Sequence, residues 1–532
     1  MKPQIVILSH LLLYSALALS LTKNVHLSLT NRADSESSNS LKNSTLDWSP
    51  CELDFGEAEK NEAQKAYDCA RLTVPLDYTS ASNGETIKLD LIKAKATKEP
   101  YKGSVLYNPG GPGGSGVDAI LRRGEALLDV LGGQYDVIGF DTRLQRREFN
   151  TLPQADTWES VRTDGLKSAT AFAEGCYESR QDTGRFIGTP FVARDMISIV
   201  DALDQGPKLN FWGTSYGTVL GQVTASIFPE RIGRMLIDAN LKADDYATTT
   251  WITGMRDTER ALAHLLDECV EAGTDLCSLA DYHVENTTGQ SLLTALDELL
   301  NNYVNGGFQS ESNASKSELN SAVIGFKRSI FADLYDPAKY PAIVSRIEGL
   351  FTGNETAMIP GEGTTLTTPW NIAGDCVNLG ISCSDSSLRV EDPDDLFSIY
   401  QAHLAGGSFS ETSVAGRLIC AQWKFSAAEQ IDTNKLRNVK TSFPILVVNS
   451  RYDPVTSLSG AWEVSARFRG SRVVAHEGVG HGLLNHPSNC TQEAVRRYFV
   501  DGELPELNTT CKPDMPVFKW AQQKIAKEEG NG

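Results

Sequence analysis

Ser215 stands in Gly213-Thr214-Ser215-Tyr216-Gly217, directly after the apolar run Leu209-Asn210-Phe211-Trp212 and before a second apolar-periodic segment. A serine exposed on a sharp strand-to-helix turn needs strained backbone angles, and side chains on either side of it would clash; both flanking positions are glycine. The hydroxyl then projects from the tip, and the amide of Tyr216 points into the space a developing oxyanion would fill. A serine hydroxyl is a poor nucleophile at neutral pH, so it needs a neutral imidazole to take its proton and a carboxylate to hold that imidazole. Asn449-Ser450-Arg451-Tyr452-Asp453-Pro454 leaves the apolar run at 445–448 and offers Asp453 as the acid. Gly478-Val479-Gly480-His481-Gly482 follows a later strand-like run and offers His481 as the base, its flanking glycines leaving room for close approach of a serine. His476 and His486 are competitors without that pair of glycines, and Glu477 reads as a solvated loop carboxylate.

A second glycine-rich segment, Asn108-Pro109-Gly110-Gly111-Pro112-Gly113-Gly114-Ser115-Gly116, follows the short apolar run at 103–107. Its many glycines expose backbone amides, and fixed amides stabilise a developing oxyanion by about 2.7–4 kcal/mol per donor. A phosphate-cradling loop would end in Gly-Lys-Ser/Thr, which is absent here.

These residues need a scaffold that brings them together. Short strand-like runs at 103–107, 135–140, 209–212 and 234–237 alternate with helix-length segments such as 192–203, which predicts a mostly parallel α/β sheet. Two earlier strands are expected at 71–78 and 86–92. From about 246 to 435 the apolar spacing turns helical, and strand signals resume at 443–448 and 471–474. The chain therefore divides into 1–20, a secretory signal; 21–50, a flexible leader; 51–245, the first part of the α/β core; 246–435, a helical cap inserted between late strands; 436–511, the second part of the core; and 512–532, a C-terminal tail.

Bulk properties narrow the chemistry. The chain has 532 residues, with 68 Asp and Glu against 49 Lys and Arg and a formal charge of −19. No long basic run occurs, which argues against nucleic acid or an anionic membrane as partner. Met1-Lys2, an apolar run from Ile5 to Leu19 and the small residues Ala16, Ala18 and Ser20 describe a cleavable signal rather than a membrane span. Ten scattered cysteines, without zinc-ligand spacing, fit an exported protein with disulfides. Close spacing pairs Cys51 with Cys69, Cys269 with Cys277, Cys490 with Cys511 and Cys383 with Cys420, and leaves Cys176 and Cys376 over. Sequons at Asn43, Asn286, Asn313, Asn354, Asn489 and Asn508 would carry glycans in a eukaryotic host.

Together, the segments around Gly111, Ser215, Asp453 and His481 resemble the secreted tripeptidyl aminopeptidases and prolyl-aminopeptidase-like serine peptidases of the α/β-hydrolase superfamily. The resemblance spans about Cys51 to Cys511. It implies an α/β-hydrolase fold, Ser215 as nucleophile, Asp453 as orienting acid, His481 as base, and the amides of Gly111 and Tyr216 as the oxyanion hole. It also implies an exopeptidase, with a cap that restricts access and supplies acidic groups for a free peptide amine. The substrate would be a peptide or small acyl compound, with no metal or organic cofactor required. One segment departs from the family: where such enzymes carry Asp-x-Arg-Gly-x-Gly, this chain has Asp141-Thr142-Arg143-Leu144-Gln145-Arg146-Arg147, so one wall of the site is expected to differ. An esterase, lactonase or acyl-transfer activity uses the same residues, and a non-catalytic binding protein is a third reading.

Overall fold

Runs rich in Val, Ile and Leu, closed by glycine, proline or polar turns, favour extended backbone because branched side chains pack well on a pleated surface. In a computed structural model, which describes residues 46–530 apart from 54, 56–57, 80–85, 112–113, 142–157, 159–160, 249–253, 283–286, 305–315, 355–378 and 411–419, these runs form one ten-stranded sheet. The strands are β1 (Ser49–Pro50), β2 (Asp68–Pro75), β3 (Thr86–Ala94), β4 (Ser104–Asn108), β5 (Asp136–Phe140), β6 (Leu209–Thr214), β7 (Ile232–Asp238), β8 (Leu446–Tyr452), β9 (Arg472–Val479) and β10 (Thr509–Cys511). Their order is β1-β2-β3-β5-β4-β6-β7-β8-β9-β10. β1 to β3 pair antiparallel, as do β3 and β5; every later neighbour is parallel.

Parallel strands are covered on both faces, which is why they read as continuous apolar runs rather than alternating ones. On one face lies α1 (Gly116–Val130), whose Val117, Ile120, Leu127 and Val130 share a core with Tyr107, Trp212 and Leu236. On the other face α2 (Thr189–Leu203) and α3 (Tyr216–Ile227) bury Val192, Met196, Ile199, Val219 and Val223 against Phe211 and Ile237. The chain passes from β4 to β5 on one side and later returns to β6 on the other. Loops leaving the carboxyl ends of β4 and β6 therefore diverge, which opens the crevice where open α/β sheets hold ligands. The glycine-rich loop and Ser215 are those two loops.

Between β7 and β8 lie the helices α4 (Ala243–Ala247), α5 (Thr258–Ala272), α6 (Gly289–Val304), α7 (Lys316–Asp333), α8 (Tyr340–Phe351), α9 (Gly380–Asp385) and α10 (Phe397–Leu404). α5 repeats apolar residues at Leu262, Leu265, Leu266 and Cys269, the spacing of one helical face, and buries them against Leu292, Leu296, Ile343 and Ile347. That cluster also takes in Val455 and Val479 from the loops after β8 and within β9, so the insertion is packed onto the sheet domain. α11 (Leu458–Ser465) and α12 (Asn489–Val500) complete the core.

Two differences from the sequence expectations have physical causes. β8 and β9 continue past their apolar runs into Asn449, Ser450 and His476, each fully buried, because the ladder between the two strands satisfies their backbones. The residues read as a tail, 512–532, form α13 (Val517–Gly530), and β10 lies just before them, at the end of the segment read as core. β10 has three residues and leans on β9, while α13 inserts Val517 and Phe518 into the core of the insertion. Neither has enough local apolar pattern to be read without its partner.

All four cysteine pairings drawn from spacing are present: Cys51–Cys69, Cys269–Cys277, Cys383–Cys420 and Cys490–Cys511. Cys176 is disulfide-bonded as well. Asn354, Asn489 and Asn508 are exposed. Asn43, Asn286, Asn313, Cys376, the expected signal and the expected leader up to residue 45 lie outside the described residues. No helix among the described residues is long and apolar enough to cross a membrane.

Candidate active site

Ser215 has φ 58° and ψ −124°, between the end of β6 and the first residue of α3. A non-glycine residue held at such angles costs on the order of 1–3 kcal/mol and persists only where its surroundings enforce it. The enforcement here is contact. A Cβ on Gly213 would stand 2.2 Å from the carbonyl oxygen of Gly217, and one on Gly217 would stand 2.8 Å from the carbonyl oxygen of Asn108. The Ser215 amide donates to the carbonyl of Asp238 at 3.1 Å, and the Thr218 hydroxyl donates to the Ser215 carbonyl at 2.6 Å.

The glycine-rich loop lies against this turn. Gly110 and Gly111 have φ of 97° and 120°, and a Cβ on Gly110 would come within 2.7 Å of Ser215 Cβ and 3.1 Å of the Tyr216 nitrogen. Asn108 Oδ1 accepts from the Gly110 amide at 3.0 Å, and the Gly110 carbonyl accepts from Gly114 at 2.9 Å. The amides of Gly111 and Tyr216 donate to no group among the described residues. Ser115 caps α1 and donates its hydroxyl to Asp141 at 2.8 Å, which anchors the far end of the loop to the end of β5. The divergent segment 144–147 and residues Pro112 and Gly113 lie outside the described residues.

Asp453 is fully buried after β8, and its Oδ1 accepts from the amides of Val455 and Thr456 at 3.0 and 2.8 Å. Both of its oxygens lie within reach of His481 Nδ1, at 3.1 and 3.0 Å. His481 Nε2 is buried and has no hydrogen-bond partner among the described residues. Gly482 (φ 94°) carries the histidine loop past the elbow, where a Cβ would stand 3.4 Å from Thr214 Cγ2. A serine–histidine hydrogen bond is absent in this state; such bonds commonly tighten only when substrate is bound. The competing histidines are engaged elsewhere: His476 Nδ1 meets Thr491 Oγ1 at 3.0 Å, and His486 Nε2 meets the Met515 carbonyl at 2.9 Å.

Two expectations change. Gly480 (φ 80°) does not make room for a serine; a Cβ there would strike Pro337 Cδ at 2.7 Å and the Tyr335 carbonyl oxygen at 2.9 Å, so the space it frees belongs to the insertion. Glu477 is not merely solvated but pairs with Arg451 across β8 and β9 at 2.9 Å.

Asp238, at the carboxyl end of β7, was not singled out by its sequence context. It accepts from Ser215 through its carbonyl and from the Leu483 amide through its carboxylate at 3.1 and 3.2 Å, so it ties the elbow to the histidine loop. Its position after an apolar parallel strand was the available signal. Asp385 of α9 is a second such residue. It accepts from the amide and hydroxyl of Thr189, and Thr189 Oγ1 meets the Tyr216 hydroxyl at 2.6 Å.

Burial is the main force that pushes Asp141, Asp238 and Asp385 up from the ordinary 3.8 to about 7. Between those values the folded chain holds protons that the unfolded chain has lost. Their contribution to stability is therefore full below about pH 4 and is lost as pH rises through about 7. Urea unfolding should show the parent losing more stability between about pH 5 and pH 7.5 than an Asp385→Asn variant does. Equal losses would remove Asp385 from this effect.

Residues 103–286 match the family model for the alpha/beta hydrolase fold, and residues 406–511 match the model for TAP-like proteins. The chain is 28% identical over 504 residues to the tripeptidyl aminopeptidase of Streptomyces lividans, covering 88% of this chain and 87% of that relative. It is 24% identical to serine protease Hip1 of Mycobacterium tuberculosis (strain ATCC 25618 / H37Rv), over 88% of this chain and 91% of the relative. It is also 25% identical to carboxylesterase B of the same organism, over 88% and 90%. The chain has the α/β-hydrolase fold and is a serine hydrolase, similar over most of its length to tripeptidyl aminopeptidases.

Proposed function

We propose that the protein is a secreted serine exopeptidase that removes short N-terminal peptides through an acyl-enzyme, with Ser215, His481 and Asp453 as its triad. The observation that supports this most is the buried Asp453 carboxylate on Nδ1 of His481, which leaves Nε2 without a partner among the described residues, at the sheet end where Ser215 sits on its strained turn. Asp453 sets the tautomer in which Nε2 accepts a proton. Ser215 Oγ attacks the scissile carbonyl while Nε2 takes its proton, and the oxyanion forms against the amides of Gly111 and Tyr216. The same proton passes to the leaving amine as the C–N bond breaks. Water, deprotonated by His481, then releases the acyl product and regenerates Ser215.

The names of the tripeptidyl aminopeptidase and Hip1 relatives favour a peptide substrate, and the carboxylesterase relative keeps an ester reading in play. Secretion is inferred from the apolar segment after Lys2 and from the disulfides. A matched pair of tripeptide anilides, one with a free N-terminus and one acetylated, separates the readings. The free form should be turned over at least about tenfold faster, a difference of about 1.4 kcal/mol, because acetylation removes the ammonium charge that an exopeptidase would recognise. Equal turnover would defeat the exopeptidase assignment, and faster cleavage of a simple acyl ester than of either anilide would favour the esterase.

A further inference from the structure

Each loop carrying the candidate triad is tied to the insertion as well as to the sheet. At the first turn of α5 the Thr258 hydroxyl donates to the Pro454 carbonyl, next to the acid. Further along α5 the His264 ring stacks on Tyr452 at 3.6 Å between centroids. At the elbow, the contact runs from Asp385 through Thr189 to Tyr216. The closest tie is to the base. The carbonyl of Tyr335, just after α7, accepts from the His481 amide at 2.9 Å and from Asn485 Nδ2 at 3.1 Å. Asn485 Nδ2 also donates to the His481 carbonyl at 2.5 Å, so one side chain clips both backbones together. The Tyr335 ring sits 4.9 Å from the imidazole at 60°, and Phe331, one turn back in α7, supports it edge-on at 5.3 Å.

We propose that Tyr335 is a positioning residue for the reaction, its carbonyl setting the backbone of His481 and its ring setting the plane of the imidazole. The inference rests on the triad assignment above. Among the described residues, hydrogen bonding anchors only one end of the imidazole, because Nε2 has no partner there and Nδ1 is shared between the two Asp453 oxygens at nearly equal distances. Because either oxygen can accept, that pairing tolerates a partial swing of the ring about its Cβ–Cγ axis, and a swing carries Nε2 away from the serine. An aromatic ring against the imidazole blocks that swing. The insertion is then a working part of the catalytic frame as well as a cover, since the segment that grips the base is continuous with α7.

Tyr335→Phe and Tyr335→Ala test this, with kcat and KM on a free tripeptide anilide and the rate at which a fluorophosphonate labels Ser215, a step that also needs His481 as base. Phenylalanine keeps the ring and should stay within about twofold of the parent; alanine should lower kcat and labelling rate by about tenfold or more with KM little changed, as expected for a misplaced catalytic group. Tyr335→Leu, which keeps bulk without a flat ring, applies the same criteria if alanine unfolds the insertion. A parent-like labelling rate in the alanine or leucine variant, a loss shared equally by phenylalanine, or a rise in KM alone would overturn the role of Tyr335. Absence of Ser215-dependent labelling in the parent would instead overturn the triad assignment, and the role of Tyr335 with it.

Discussion

Ser215→Ala is expected to lower kcat by at least about 10⁴-fold while leaving the fold and KM nearly unchanged. Removing Oγ deletes the atom that forms the acyl bond. Neighbouring hydroxyls do not replace it: the Thr218 hydroxyl is engaged by the Ser215 carbonyl and the Tyr216 hydroxyl by Thr189, while Thr214 turns its Cγ2 toward Gly482. The elbow itself should survive, because its angles are enforced by the contacts of Gly213 and Gly217 and by backbone bonds rather than by the serine side chain. Alanine keeps the same strained φ, so a small loss of stability is the only structural consequence expected. Activity left over would come from substrate positioning and from amide donors acting on the attack of water. Steady-state kinetics with fluorophosphonate labelling as a parallel readout checks this; a variant within about tenfold of the parent would remove Ser215 from the chemistry.

Asp453→Asn should cost about 10⁴-fold in kcat by a different route. Asp453 Oδ1 receives the amides of Val455 and Thr456, and asparagine can keep both bonds with its one carbonyl oxygen. Its NH₂ then faces His481 Nδ1 and donates to it. The imidazole proton moves to Nε2, which leaves the base unable to take a proton from serine. The site would be intact in shape and wrong in tautomer. Thermal unfolding close to that of the parent, together with the loss of kcat, is the expected pair of results. Retention of most activity would shift the acid role toward Asp238, the other buried carboxylate beside the histidine loop.

Much of the candidate site was legible because its constraints are local. Gly213 and Gly217 betray a turn that has no room for side chains, and a carboxylate and a histidine each placed just after a strand-like run follow from what a serine needs in order to react. The cysteine pairs were legible for a similar reason, since short loops close easily. Asp238 was harder. An aspartate after an apolar run has many uses, and only the approach of Leu483, 245 positions along the chain, shows that its carboxylate braces the histidine loop.

From the sequence alone came the α/β alternation with its helical interruption, the order serine, aspartate, histidine, and the two glycine-rich turns that must meet. Each of these depends on periodicity or on sterics within a few residues. Only the tertiary structure decided what surrounds the base. Gly480 yields its space to Pro337, Tyr335 grips His481, and the presumed tail becomes a helix that packs into the insertion. Those contacts join segments separated by a hundred residues or more, where no local pattern can specify which surface is buried against which.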